Sequence, residues 1–389
     1  MTLSGLKVVV IGAGIGGLAA ARTLAMRGAD VTVLEQADAI REVGAGLQIS
    51  PNGFRVMDAL GLGRRLEAIS VRGSAVRLRD YRGGEVIRLD LGLLDSDHYH
   101  FVHRADLIEL LATGARAAGV RIRFLQRVDH VAPGAPPTIK LTNGAVMTAD
   151  LVIGADGLHS VVRTALNGAG TPFFTGQVAW RAVIPAYTSR QDGEVQVYMG
   201  PHRHVVTYPL RGGQELNLVA VQERAAWTPE SWSQRDDPVA LRAAFGDFSK
   251  EIQELLARVD SVNLWGLFRH PVASRWHDEG LAILGDAAHP TLPFMAQGAC
   301  MALEDAWIVA DSLERETELG RALSVYQGRR EHRARKIVAT ANKNGWRYHV
   351  AFRPLRGVLH TGMRLAGMMA PRQVLKQFRW IYDYDAVKN

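Results

Sequence analysis

Residues 7–17 read Lys-Val-Val-Val-Ile-Gly-Ala-Gly-Ile-Gly-Gly: a short β-branched apolar run that breaks into glycines and then enters a stretch of leucine and alanine. Such a run reads as a buried parallel strand. Leu18–Arg27 reads as a helix ending near Gly28, and Asp30–Glu35 as the next strand, so the segment forms one βαβ unit. Gly12, Gly14 and Gly17 then have distinct tasks. The first permits a tight turn, the second lets the backbone approach a pyrophosphate, and the third lets the helix pack closely on the strand. The helix N-terminus offers free N–H groups and partial positive charge to phosphates. Glu35, at the end of the second strand, can accept hydrogen bonds from ribose hydroxyls. The turn alone does not separate FAD from NAD.

The strand-then-glycine pattern returns twice. Asp150–Ile153 runs into Gly154-Ala155-Asp156-Gly157, and Gly280–Leu284 runs into Gly285-Asp286. The three turns are expected on one edge of one sheet, at the carboxyl ends of its strands. Residues 74–92 and 172–225 alternate apolar and polar side chains, which predicts an antiparallel sheet with one wet face. Residues 301–342 are helical in pattern. The tail 355–382 has apolar residues at helical spacing beside Arg and Lys, and packing against the body is expected over lying on a membrane. A chain of 389 residues suits two domains. The expected class is α/β: a Rossmann-like FAD-binding domain (1–73, 98–170 and 279–335) interleaved with an antiparallel-sheet substrate domain (74–97 and 171–278), with C-terminal helices (336–389).

Composition excludes several classes of function. The 46 basic and 39 acidic residues leave a net charge of +7, without any block of consecutive basic residues. This favours small anions and argues against a nucleic-acid partner. Cys300 is the single cysteine, so no intrachain disulfide forms and a reducing compartment fits. The N-terminus lacks the marks of a signal peptide, and no apolar run approaches a membrane span of roughly 20 residues. A cytoplasmic location without stable membrane insertion is expected. His98, His100 and His103 cluster, and His202 stands near His204, but neither group has the companions typical of zinc sites, so no metal is expected.

Three motifs in this order carry a resemblance: the Gly12–Gly17 turn; Asp156-Gly157 followed by Ser160 and Arg163; and Gly285-Asp286-Ala287-Ala288-His289-Pro290 followed by Pro293, Gln297, Gly298 and Glu304-Asp305. The chain resembles the single-component FAD-dependent aromatic hydroxylases of the para-hydroxybenzoate hydroxylase class along nearly its whole length. The ending Trp380-Ile381-Tyr382-Asp383-Tyr384-Asp385 resembles the subgroup of salicylate hydroxylases and 3-hydroxybenzoate 6-hydroxylases. The resemblance makes the dinucleotide FAD. It implies that Asp286 accepts from a ribityl hydroxyl, that Pro293 contacts the substrate where the chain passes the flavin, and that the helix starting at Gly298 aims its N-terminus at the flavin N1–C2=O edge. It further implies that Arg104 contacts FAD, that Arg41 lies near the adenosine, and that Asp156 has a cofactor or structural role. A second Gly-x-Gly-x-x-Gly is lacking, so NADH or NADPH, with NADH preferred, is expected as a transient co-substrate.

On the substrate side, His204 and Tyr208 stand four apart in a strand, which puts both on one face. They can deprotonate or orient a phenol, making the ring carbon a better nucleophile. The second reading of the pair is a buried hydrogen bond that holds the sheet. The resemblance adds Gln297 beside flavin and substrate, and Gln48 in the loop lining the pocket. Relatives that act on 6-hydroxynicotinate carry histidine at this last position, so Gln48 argues against that substrate. Arg181 and Arg211 are candidate carboxylate partners. The expected activity is hydroxylation of a small aromatic or N-heteroaromatic acid by NAD(P)H and O2, with oxygen added at flavin C4a. The alternatives are a larger polycyclic substrate, a flavin dehydrogenase or oxidase that inserts no oxygen, and a flavoprotein acting only through protein contacts. A monomer or homodimer is expected.

Overall fold

The computed structural model describes residues 2–40, 45–96, 98–186, 192–224 and 235–389. Val8 to Ile11 are buried on both faces of the strand Lys7–Ile11, as their unbroken apolar run requires. This strand lies parallel between Asp30–Leu34 and Leu151–Gly154. Leu281–Ile283 adds in parallel beyond Leu151–Gly154, Arg121–Arg123 beyond Asp30–Leu34, and the short antiparallel His277–Asp278 closes one edge. The three glycine turns therefore leave the carboxyl ends of neighbouring strands in a six-stranded sheet. The chain visits one neighbour of Lys7–Ile11 early and the other late, and this reversal opens a crevice above the central strand. The helix Ile15–Ala25 is buried along nearly its whole length, packed against Arg104–Ala117 and Gly298–Arg315.

A second sheet of eight strands runs in the order Arg235–Asp236, Val262–Arg269, Phe173–Pro185, Glu215–Glu223, Arg203–Leu210, Glu194–Gly200, Ala75–Asp80, Glu85–Asp90. It departs from the expectation in two ways. Glu194–Gly200 pairs in parallel with Ala75–Asp80, and every residue of that strand is buried, so no wet face exists there. The reason is that both faces are covered. Trp180, Tyr198 and Val205 point to Leu241, Phe245, Ile252 and Leu256 of two short helices. Tyr208, Val197 and Met199 point the other way, to Met295, Ala341, Leu375 and Ile381. Alternation in the sequence distinguishes the two faces, but it does not show that the polar one is wet.

Two long helices, Gly298–Arg315 and Leu319–Tyr348, lead to the tail helices Arg353–Met369, Pro371–Lys376 and Arg379–Tyr382. The tail packs on the body through Leu375, Ile381 and Tyr382. The Arg353–Met369 helix buries only Arg356 and His360 and leaves Val358, Leu365, Met368 and Met369 exposed. Among the described residues no helix is long and apolar enough to cross a membrane.

Candidate functional site

The first part of the site is the glycine turn. Gly12 has φ +103°, and a Cβ there would stand 2.5 Å from the Ala155 carbonyl oxygen, so the turn and the Gly154–Gly157 loop close on each other. A Cβ on Gly17 would run into the Gly12 carbonyl oxygen, whereas one on Gly14 would meet open space. No side chain caps the helix that follows, so its N-terminus faces that space uncapped. Glu35 Oε2 accepts from Ala13 N at 2.8 Å and Oε1 from Ala37 N at 2.9 Å, which holds the carboxylate beside the turn with lone pairs to spare.

Across the crevice, Asp286 is exposed, yet protein surrounds its carboxyl closely enough to raise its pKa, against the pull of His289 and Arg104. A carboxyl that is hemmed in and still reachable lines a groove. Arg104 opens the helix Arg104–Ala117, its N–H bonded to Ala45 O at 2.9 Å. The helix Gly298–Arg315 likewise starts without a side-chain cap. Two uncapped helix starts, a path cleared by glycines, two acceptor carboxylates and a guanidinium fit a diphosphate flanked by two polyol chains. The residues present therefore fit FAD. Asp156 braces this groove from behind: its Oδ2 accepts from Val161 N at 2.8 Å, and Arg163 donates to Ala287 O at 2.9 Å.

A buried ionic network, unrecognised as such in the sequence, locks the Gly285 turn. Asp305 accepts from Gly285 N at 2.9 Å, and its carboxylate meets His289 Nε2 at 2.5 Å and Arg330 Nε at 2.6 Å. Glu304 pairs with Arg330 and Arg333 and accepts from Asn52 at 2.7 Å. Burial pushes the Asp305 carboxyl up, but His289 and Arg330 pull it further down, so it is ionised. The signal in the sequence is a Glu-Asp pair amid the apolar residues of the helix's first three turns, where charge is buried only with partners.

The second sheet supplies the other wall. Directly paired residues on adjacent strands share a face. His204 pairs with Val221, which pairs with Ala179; Val206 with Val219, which pairs with Arg181; Tyr208 with Asn217, which pairs with Val183. His204, Arg181 and Tyr208 thus lie on one face, Arg181 in the row between the other two. His204 packs its ring against Phe294, 5.4 Å away in the one-turn helix Pro293–Met295. Tyr208 packs against Gly46, where a Cβ would come within 2.5 Å of its ring. Burial and the neighbouring His349 lower the His204 pKa well below its usual value, so the imidazole is neutral near pH 7. Burial raises the Tyr208 phenol despite Arg181 and Asn217, so it remains a donor. Arg181 is pushed down to about 10 by burial and by Arg104, and stays charged. Its cation lies 4.0 Å over the Trp265 ring, and among the described residues no carboxylate pairs with it.

Other expected site residues are placed differently. Gln297 is buried and turned onto the start of the helix Pro51–Ala59: its Oε1 accepts from Asn52 at 3.0 Å and its Nε2 donates to Ser50 at 2.9 Å. In this position it braces the start of that helix. Asp106 holds Arg211 through two hydrogen bonds at 3.0 and 2.9 Å and Glu215 through a third, at the surface. Gln48 accepts from Tyr99 at 2.8 Å. Arg41 lies outside the described residues. Glu67 joins His98 and His100, one ligand atom of each within 4.8 Å of the others, a grouping the sequence spacing does not show.

Comparison with known proteins places this geometry. A family model described as FAD binding domain matches residues 5–341. The chain is 36% identical over 357 residues to a 3-amino-4-hydroxybenzoate 2-monooxygenase of Streptomyces cremeus, covering 89% of this chain and 88% of that one. It is 32% identical over 393 residues to a 3-hydroxybenzoate 6-hydroxylase of Klebsiella oxytoca, covering 97% of each. Klebsiella pneumoniae HpxO, solved with FAD and uric acid, superposes with a TM-score of 0.85 at 27% identity, over 96% of this chain and 95% of that one.

Proposed function

The chain belongs to the FAD-binding family of flavoprotein monooxygenases, and from that premise we propose that it hydroxylates a small aromatic acid bearing a ring hydroxyl or amino group. NADH or NADPH is the reductant and O2 the oxidant. Bound FAD supplies the redox chemistry; Gly12, Gly14, Gly17, Glu35, Arg104 and Asp286 would hold it.

The observation that carries the substrate class is the face shared by His204, Arg181 and Tyr208. Arg181 is a half-buried cation that no carboxylate among the described residues pairs with, and its planar fork suits a carboxylate through two parallel hydrogen bonds. His204 is a neutral imidazole, the form that accepts a proton. Tyr208 is a protonated phenol, a donor that orients a ring oxygen. The Cα atoms of His204 and Tyr208 stand about 13 Å apart by strand rise, more than the length of a benzene ring. Removing the ring hydroxyl proton at His204 raises electron density at the carbon to be oxygenated. The covered sheet excludes water from that step.

The test is a screen of hydroxybenzoates, aminohydroxybenzoates and hydroxynicotinates under 18O2, reading substrate-stimulated NADH oxidation and product mass together. One 18O in the product supports the reading. Stimulated oxidation with hydrogen peroxide as the sole oxygen product across the screen refutes it, and indicates an oxidase.

A further inference from the structure

His204 does not end at the pocket wall. Its Nδ1 lies 2.7 Å from His349 Nε2, and His349 Nδ1 lies 2.8 Å from Glu223 Oε1. Glu223 Oε2 in turn meets His202 Nδ1 at 2.6 Å. The four groups come from the strand Arg203–Leu210, the turn before it, the strand Glu215–Glu223 and the end of the helix Leu319–Tyr348. Backbone bonds tie the same segments: His202 N donates to His349 O at 3.1 Å, and Glu223 N to His202 O at 2.9 Å. The series begins at a buried ring and ends at an exposed one, beside an open hollow of about 400 Å³ lined by Thr175, Gln177, His202, Glu223 and Arg224.

The acceptor at one end sets every proton in the row. A carboxylate only accepts, so His349 presents Nδ1–H to Glu223, and in its neutral form its Nε2 carries a lone pair. That lone pair takes the Nδ1–H of His204, leaving His204 Nε2 unprotonated. Among the described residues this Nε2 has no hydrogen-bond partner. Resting on the hydroxylase reading above, we propose that His349 and Glu223 fix His204 as an Nε2 base and carry the substrate proton to solvent at the exposed Glu223 carboxylate.

The transfer balances without moving electrons. The substrate O–H bond breaks and a bond from His204 Nε2 to hydrogen forms. The Nδ1 proton of His204 passes to His349 Nε2, the Nδ1 proton of His349 passes to Glu223, and the exposed Glu223 carboxyl releases one proton to water in the hollow. The reverse transfer restores the starting tautomers when a proton is needed in the pocket. Few other charges bear on the row. Phe294, Tyr348 and His349 surround His204; Tyr348 is pushed up to about 12 by burial and is neutral. Arg224 and the Asp247-paired Arg203 flank the outer end. Hydrogen bonding to His349, opposed by burial, holds the Glu223 carboxyl down at about 2, so it is ionised at working pH.

Glu223→Gln tests the proposal in the FAD-loaded enzyme, because the amide oxygen still accepts from His349 but cannot take its proton. The probe is 3-hydroxybenzoate, or the screened acid that incorporates 18O, mixed with enzyme and a pH indicator in a stopped-flow cell. Proton release and kcat are expected to fall about ten-fold or more, with KM within about two-fold. Glu223→Asp is expected to restore part of the rate. Nitrogen-15 imidazole shifts in both proteins should show His204 with Nδ1–H and bare Nε2. Unchanged proton release in a folded, FAD-loaded Glu223→Gln enzyme would overturn the relay, as would a wild-type His204 protonated on Nε2. The bare-Nε2 tautomer in an enzyme that incorporates no 18O from any acid would support the relay and sink the hydroxylase reading instead.

Discussion

Replacing Arg330 by methionine removes the one cation shared by both buried carboxylates, Glu304 and Asp305, at 2.6 Å from each. Methionine fills much of the stem's volume, so the loss is mainly one of charge. Glu304 keeps Arg333 and Asn52, and Asp305 keeps His289 and the Gly285 N–H. Breaking a buried pair from one side costs about 3–5 kcal/mol. A melting entropy of about 2.1 cal/mol/K per residue gives roughly 0.8 kcal/mol/K for 389 residues, so about 4 kcal/mol lowers Tm by about 5 °C. The pH dependence has a definite sign. Asp305 has its folded pKa depressed, so its contribution is present above the unfolded value of about 4 and is lost as pH falls towards the folded one. The gap between wild type and variant should be widest near pH 7 and narrow below about pH 4. Calorimetry of both proteins, with and without FAD, measures this. Equal Tm values at pH 7, or a gap that does not change with pH, would show that Arg330 does not compensate these charges.

Four further outcomes are expected. Gly17→Ala drives a methyl group into the Gly12 carbonyl, so the protein should purify without flavin absorbance; stoichiometric FAD would contradict the turn geometry. Tyr208→Phe removes an orienting hydroxyl, so product formed per NADH should fall more than NADH oxidation itself, and unchanged coupling would leave Tyr208 a packing residue. Arg181→Met should raise KM for carboxylic acids by about 10–100-fold, the equivalent of a lost charged hydrogen bond, and spare the matching amides. Equal effects on acids and amides would remove Arg181 from carboxylate binding. The Cys300 thiol, pushed up to about 11 by burial, should resist Ellman's reagent at pH 8 until urea is added; rapid native labelling would contradict its burial.

The cofactor end of this protein is legible in its sequence because a glycine turn is local. Gly12, Gly14, Gly17 and Glu35 lie within 24 residues, and backbone conformation dictates their type. The shared face of His204 and Tyr208 is equally local, since strand periodicity alone implies it. Arg181 joins that face through a strand register that no short-range pattern records. His204 and His349 are 145 residues apart, and the second lies at a helix end with no motif around it. Gln297 and Arg211 show the opposite limit: each side chain is polar and well placed along the chain, yet nearby partners claim it. Residue type announces which chemistry is available, and tertiary neighbours decide whether it is free to act.

The helix Leu319–Tyr348 crosses from one of these settings to the other. Arg330, near its middle, grips the carboxylate that seats the Gly285 turn, and His349 follows its last residue. Nineteen residues of α-helix span about 28 Å, a stiff strut with one anchorage at Asp305 under the Gly285 turn and the other at His204. Sliding that strut by a single residue would unseat both anchorages together. The seating of the Gly285 turn and the placing of His349 against His204 are thereby indexed to the same ruler.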